Sequence, residues 1–139
     1  IKEIAADADN VYIHENYPFK ELMNLYRKAK IFWHGTGYLV DENLEPEKME
    51  HFGITTVEAM SFGAIPVVIN KGGQKETVQE GINGYRWNDE EECINKTLKV
   101  INDEDKRKEM AEICVEEAKK YSIDAFFEAN RRLFNELRI

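Results

Sequence analysis

The sequence predicts an α/β fold with a Rossmann-like parallel sheet and flanking helices. Short apolar runs typical of strands alternate with segments whose apolar residues recur at helical spacing. One of these runs, residues 65–69, is unbroken and therefore suits a strand buried on both faces, as in a parallel sheet. With 139 residues, 42% of them hydrophobic, the chain is long enough for one domain with its own core.

The first half of the chain predicts two strands and two helices, separated by a long loop. The loop is indicated by five acidic residues and Pro46 within ten positions. In chain order, the predicted elements are a strand at residues 11–14, a helix at 19–29, a strand at 31–33, the loop at 41–50 and a helix at 54–62.

The second half predicts two further strands and several helices. Gly63 ends the preceding helix, and Pro66 lies near the start of the strand at residues 65–69, where a missing N–H is tolerated. Gly72 and Gly73 turn the chain into a short helix. That helix ends at Val78. A strand at residues 85–87 and three amphipathic helices in the last third follow it.

The last third contains two N-cap candidates and an apolar stripe. Asp103 and Ser122 precede helical patterns and are expected to cap them. The stripe has two interpretations: it packs on its own domain, which we expect, or it docks on a partner domain. Its residues are Ile123, Phe126, Phe127, Asn130, Leu133, Phe134 and Leu137.

Composition excludes several functions. The net charge of −8, from 27 acidic and 19 basic residues, repels nucleic-acid backbones and anionic lipid, and no stripe of Lys and Arg interrupts it. Cys93 and Cys114 lie in separate helical patterns and are interpreted as small buried hydrophobic residues, which fits a reducing cytoplasm. No apolar run approaches the roughly 18 residues of a membrane span.

The start of the chain indicates a fragment. The first residue is Ile1, and the pattern that follows is typical of the end of a helix. We therefore expect further segments upstream, and any peripheral contact with a membrane is expected to come from them.

The segment from Glu50 to Glu58 carries the candidate chemistry. It places two carboxylates around a loop that opens a helix, and Gly53 within that loop lets a ligand approach the backbone. The free N–H groups and positive dipole of a helix N-terminus can receive a diphosphate or sugar hydroxyls without a basic side chain. Glu58, one turn inside the helix, can accept hydrogen bonds from the vicinal hydroxyls of a ribose, and Glu50 can reach a sugar ring.

Each of these residues also has a structural interpretation. Thr55 and Glu58 match a capping box, in which Thr55 caps the helix and Glu58 reaches back to the N–H of Thr55. Glu50 can be a solvated loop carboxylate, and His51 can pack against the loop instead of binding a ligand. A glycosidase pair is disfavoured, because eight helical steps separate the two carboxylates by roughly 12 Å.

The two glutamates belong to a longer series of residues. The series includes Ala59, Met60, Gly63, Pro66, Val67, Val68, Gly72, Gly73, Glu76 and Gly84, and upstream Glu21, Leu22, Leu25, Tyr26 and Ala29. It resembles the donor-domain signature of the family-4 (group 1) retaining glycosyltransferases, over nearly the whole chain. The resemblance implies a GT-B architecture, with an active site between two Rossmann-like domains. Residues 1–139 then form part of the C-terminal domain and lack its first two strands, and the N-terminal acceptor domain lies outside the sequence.

The resemblance also implies roles for individual residues. Glu58 binds the donor ribose, and Glu50 lies beside the donor sugar as the candidate catalytic residue. The remaining donor-binding candidates are His51, Phe52, Gly53, Ile54 and Thr55, with the backbone of the last four holding sugar and diphosphate. The implied reaction transfers a hexosyl group from a nucleotide diphosphate sugar to an unknown sugar, lipid or protein acceptor, with retention of configuration and without a metal or cofactor.

The chain departs from that family in two places. The family's Gly-Arg…Lys segment, which neutralises the leaving diphosphate, is absent, so the fragment alone is expected to be inactive. Where many members have Pro-Ser, the chain has residues 33–38 and then the acidic loop, an insertion that can shape donor or acceptor selection. Two other functions remain open: a non-catalytic binding or assembly module derived from GT-B, and a nucleotide-sugar epimerase.

The missing segments also predict an incomplete sheet. Doubly wound sheets commonly have the strand order 3-2-1-4-5-6, so the absent strands would come from the middle. The strands at residues 31–33, 65–69 and 85–87 should form a parallel block. Residues 11–15 should be displaced from that block or paired abnormally with residues 31–33.

Overall fold

The computed structural model describes residue 3 and residues 8–137. Apart from residue 3, the predicted end of a helix at the start of the chain lies outside the described residues. In chain order, the elements are α1 (Phe19–Lys28), β1 (Ile31–His34), a 3-10 turn (Pro46–Lys48), α2 (Ile54–Ser61), β2 (Ile65–Ile69), α3 (Gln74–Thr77), β3 (Tyr85–Trp87), α4 (Glu90–Asn102), α5 (Glu104–Ala118), a second 3-10 turn (Lys119–Tyr121) and α6 (Ile123–Leu137).

The strands of the described chain form a parallel sheet in the order β1-β2-β3. Ile31 of β1 lies opposite Ile65 of β2, and Val67 of β2 lies opposite Tyr85 of β3. All five residues of the central strand β2 are buried, as its unbroken apolar sequence predicts. The Rossmann-like α/β class and the parallel block of three strands are therefore confirmed.

The strand predicted at residues 11–14 is wrong. These residues have no strand structure, and Tyr12 is 78% exposed. A strand forms when its N–H and C=O groups have a partner strand, and the described pairings join only β1 to β2 and β2 to β3. The expectation that this segment is displaced from the sheet is confirmed.

Helices cover both faces of the sheet. On one face, residues of β2 and β3 pack with Met60 of α2, Val100 of α4 and Met110 of α5 in the larger core cluster. On the other face, Tyr26 of α1 packs with Ala59, and Phe32 of β1 is partly buried against them. This arrangement holds α2 between the two clusters and fixes the direction in which its N-terminus points.

Local predictions in the last third of the chain are confirmed. Asp103 caps α5 by accepting from the Lys106 N–H at 2.9 Å, and the Ser122 hydroxyl accepts from the Ala125 N–H at 3.2 Å. Cys114 is fully buried, and burial raises the pKa of its thiol to about 12. Cys93 is half-buried, so both cysteines serve as small apolar residues.

The apolar stripe of α6 does not pack as expected. None of the helix's described residues is buried, and Phe126 is 63% exposed. The interpretation that this stripe packs on its own domain is therefore wrong for the described chain. Helical periodicity specifies which face of a helix is apolar, but it does not specify what covers that face. Docking on a partner domain stays a prediction.

Candidate functional site

The candidate site lies at the carboxyl end of the sheet, where the chain segments after β1 and β2 meet. The Gly73 N–H donates to the Glu50 carbonyl at 2.7 Å, which joins the two segments directly. The Lys71 ammonium adds a second link by donating to the Val40 carbonyl at 2.5 Å. Ligands of open α/β sheets bind in this position, outside the carboxyl ends of the strands.

Helix α2 begins after Gly53, and the predicted capping box is wrong. Gly53 is the N-cap with a left-handed φ of +89°, and its carbonyl accepts from the Thr56 N–H at 3.0 Å. Thr55 is therefore the second residue of the helix and does not cap it. Gly53 also fits a tight space, because an added Cβ would lie 2.8 Å from the Gln74 side-chain nitrogen.

Glu50 is not a solvated loop carboxylate. Its Oε1 atom accepts from the N–H of Gly53 at 3.1 Å and from that of Phe52 at 3.5 Å. Its Oε2 atom lies 3.4 Å from Nε2 of His34, at the end of β1. Only 31% of the side chain is exposed, so Glu50 organises the loop that leads into α2.

Two backbone donors at the start of α2 remain available. The N–H groups of Ile54 and Thr55 have no acceptor within the described part of the chain, whereas those of Phe52 and Gly53 are taken by Glu50. Ile54 is 65% exposed and Thr55 is also exposed, so a ligand can reach this end of the helix. Consecutive free N–H groups at a helix N-terminus form a favourable position for an anion.

A groove of about 530 Å³ runs from the start of α2 to Glu58. Phe52 lines it at the start of the helix and Glu58 one turn further on, while the opposite wall includes Val115 and Tyr121. Tyr26 lies next to Glu58; burial, followed by the charge and hydrogen bond of Glu58, raises the pKa of the Tyr26 hydroxyl. Glu58 is half-buried and therefore combines a fixed position with access to the groove.

His51 is exposed beside the start of α2. Its backbone, not its side chain, is packed: an added Cβ on Gly73 would lie 2.3 Å from the His51 carbonyl oxygen. The close approach explains why a glycine pair follows β2, in addition to the turn that the sequence predicts. The imidazole of His51 remains accessible.

Sequence reasoning missed His34 and Gln74. The fully buried Gln74 accepts from the Thr56 hydroxyl at 3.1 Å and places its side-chain nitrogen 3.2 Å from Nδ1 of His34. The position of His34, a polar residue at the carboxyl end of a parallel strand, was a signal that could have identified it. Gln74 had no such signal, since its partners Thr56 and His34 lie 18 and 40 positions away in the sequence.

The loop predicted at residues 41–50 is confirmed, with a 3-10 turn inside it, but it is fastened to the domain. Glu42 accepts from the Lys75 ammonium at 2.6 Å and from the Gly72 N–H at 3.4 Å. The hydrogen bond from Lys75, followed by that from Gly72, lowers the pKa of the Glu42 carboxyl below its usual value. The acidic insertion therefore borders the site in a defined position.

Residue 3 and residues 8–137 contain neither a candidate metal-binding cluster nor a membrane-spanning helix. No group of three or more His, Cys, Asp or Glu residues among them could hold a metal ion. Over the same residues, no helix has the length and apolar character needed to cross a membrane.

Comparison with known proteins gives consistent matches. The model of the family "Glycosyl transferases group 1" matches residues 4–121. An uncharacterized glycosyltransferase of Methanocaldococcus jannaschii is 32% identical over 94 residues, which cover 66% of this chain and 27% of that protein. The alpha-1,3/1,6-mannosyltransferase ALG2 of Dictyostelium discoideum is 42% identical over 62 residues, covering 44% and 15% respectively.

A glycogen synthase of Pseudomonas syringae is 32% identical over 63 residues, covering 42% of this chain and 13% of the enzyme. The matched region thus spans between 13% and 27% of the length of these three relatives. The family model, in contrast, matches most of the chain, and its match includes β1 to β3 and the Glu50 to Glu58 segment. The chain therefore belongs to the group 1 glycosyltransferases.

Proposed function

We propose that this chain is the donor-binding part of the C-terminal domain of a retaining GT-B hexosyltransferase. The complete enzyme transfers a hexosyl group from a nucleotide diphosphate sugar to an acceptor. One observation carries the proposal: a single groove is lined both by Ile54, the first residue of α2, and by Glu58 one turn further on. Family membership supports the reaction class.

The groove matches the order of groups in a nucleotide diphosphate. The diphosphate binds at the N–H groups of Ile54 and Thr55, where the helix dipole favours negative charge. Glu58 lies four residues further along, about 6 Å at the rise of an α-helix, and accepts from the ribose hydroxyls. Tyr121 and Val115 supply apolar wall for the rest of the nucleoside.

Glu50 has capacity left for a sugar hydroxyl. A carboxylate offers about four lone-pair sites, and three protein contacts to Glu50 are present. These contacts hold the carboxylate in place, so we assign to Glu50 the orientation of the donor hexose. In a retaining transfer of this kind the protein stabilises the departing diphosphate and positions the acceptor, without a covalent nucleophile.

Other parts of the complete protein supply what this chain does not provide. The lysines next to the site are engaged: Lys75 pairs with Glu42 at 2.6 Å, and Lys119 in the groove pairs with Glu116 at 2.5 Å. We propose that an upstream segment supplies cations for the leaving diphosphate and that an N-terminal domain binds the acceptor. The chain alone is then inactive, and transfer requires neither a metal nor a cofactor.

Glu58→Ala in the complete protein tests the ribose contact. Titration with a panel of UDP-, GDP- and ADP-hexoses first identifies the donor that the wild-type protein binds. Loss of the charged acceptor should weaken that binding at least about tenfold. Tyr26→Phe is the matched control, because it removes the neighbouring hydroxyl but keeps the carboxylate; it should change affinity by less than about twofold.

Three results would contradict the proposal. A Glu58→Ala protein with a lowered melting temperature and wild-type donor affinity would show that the carboxylate serves the fold. An inverted anomeric configuration in the product, measured by NMR, would exclude retention. Transfer that stops when a chelator is added would exclude metal independence.

A further inference from the structure

We infer that His34 is a positioning residue for Glu50, and that the buried amide of Gln74 selects the imidazole tautomer that performs this role. The inference rests on the proposed function and goes one step deeper into the same site. It concerns how the Glu50 carboxylate is aimed at the donor hexose before the donor binds.

The geometry places His34 between an acidic and an amide group. Its Nε2 atom lies 3.4 Å from Oε2 of Glu50, and its Nδ1 atom lies 3.2 Å from Nε2 of Gln74. Only 13% of the His34 side chain is exposed. The Thr36 hydroxyl, 3.4 Å from Nε2, is a further neighbour of the same nitrogen.

The orientation of Gln74 determines which nitrogen of His34 carries the proton. Its Oε1 atom accepts from the hydroxyls of Thr56 at 3.1 Å and Thr77 at 3.5 Å, so its NH₂ group faces His34. An amide NH₂ can only donate, and Nδ1 of the imidazole must therefore accept. In a neutral imidazole the proton then resides on Nε2, which points at Glu50.

This tautomer fixes the Glu50 carboxylate from both sides. Oε2 lies 3.4 Å from the protonated Nε2 of His34, within ion-pair distance, and Oε1 accepts from the Gly53 N–H at 3.1 Å. A free glutamate side chain has several rotamers, and ordering it during binding costs free energy. His34 removes that cost in advance and holds the carboxylate beside the start of α2. Substitution of His34 should therefore weaken contacts with the hexose and leave those with the nucleotide unchanged.

Two amide substitutions separate this role from simple packing. Glutamine can present its terminal NH₂ near the position of Nε2, whereas asparagine reaches only the level of Nδ1. In the complete protein, His34→Asn should weaken binding of the nucleotide hexose by about tenfold, and His34→Gln by less than about threefold. Neither should change binding of the matching nucleoside diphosphate, which lacks the sugar, by more than about twofold.

The tautomer is measured independently by NMR of protein labelled with ¹⁵N-histidine, with His34→Gln assigning the resonance. The expected result is a neutral imidazole protonated on Nε2. A proton on Nδ1, equal losses in the two amide variants, or an equal loss of nucleoside diphosphate binding would each overturn the inference. If the wild-type protein binds no nucleotide hexose, the proposed function fails instead, and the NMR result still decides the tautomer.

Discussion

Glu50 and Glu58 flank the same loop and helix, yet the protein surrounds them in different ways. Glu50 accepts from two backbone N–H groups and lies against His34, and the backbone around it is pressed against Gly73. Glu58 lines an open groove next to the Tyr26 hydroxyl. The two carboxylates of one motif therefore differ in their surroundings: Glu50 is tied to the loop backbone, whereas Glu58 borders the groove.

The largest loss of stability is expected for a substitution where the loop that contains Glu50 contacts the glycine pair Gly72–Gly73. An added Cβ on Gly73 would lie 2.3 Å from the His51 carbonyl oxygen and 2.7 Å from the Phe52 Cα, and backbone atoms cannot move aside as side chains do. Because the φ of Gly73 is −62°, the cost comes from this contact alone. We expect Gly73→Ala to lower the free energy of unfolding by about 3 kcal/mol in urea denaturation.

Gly35→Ala is the control for that measurement. Its added Cβ would lie 3.5 Å from the Trp87 ring, an ordinary contact distance, so the change should stay within about 0.5 kcal/mol. Equal effects of the two substitutions would mean that the loop shifts away from Gly73 without cost, and the rigid environment assigned to Glu50 would then be wrong.

Substitution of the two carboxylates themselves should change stability by a smaller amount. Glu50→Ala removes the acceptor for the Gly53 N–H and should cost about 1 to 2 kcal/mol of stability, similar to the loss of a helix cap. Glu58→Ala should cost less than about 1 kcal/mol, because its carboxylate borders the groove and bonds to the Tyr26 side chain instead of to the loop backbone. Thermal melts of both variants measure the difference. A greater loss of stability for Glu58→Ala would reverse the division of roles.

The sequence predicts those features that depend on neighbouring residues. The unbroken run of β2 indicates a buried strand, and Asp103 and Ser122 cap their helices by bonding to N–H groups three residues ahead. The same reasoning places both glutamates next to the start of α2. The two caps and the glutamates depend on partners a few positions away, and the apolar composition of β2 is itself sufficient to indicate burial, so spacing and residue type are enough in these cases.

Features that depend on distant partners were beyond the sequence pattern. The apolar run at residues 11–14 resembles a strand, but strand formation requires a neighbour that the described sheet does not provide. Gln74 and His34 lie 40 positions apart, and only the packing of β1 next to β2 brings them together. The role of Glu50 depends on that contact, which explains why its sequence alone left a solvated carboxylate as an alternative.

The smallest effect is expected for Thr55→Ala, and it tests whether α2 starts where the structure places it. Thr55 is exposed at the second helical position and caps nothing, while alanine has the better helix propensity. The free energy of unfolding should therefore stay within about 0.5 kcal/mol of the wild-type value.

The adjacent Thr56 is the matched comparison, since it is fully buried and donates to Gln74 at 3.1 Å. Thr56→Ala should cost about 1 to 3 kcal/mol, because it deprives the buried Gln74 oxygen of its nearest donor. Urea denaturation of the two variants gives both values. A loss of about 1 kcal/mol for Thr55→Ala would instead support the capping box. Glu58 would then stabilise the helix, as Glu50 stabilises the loop.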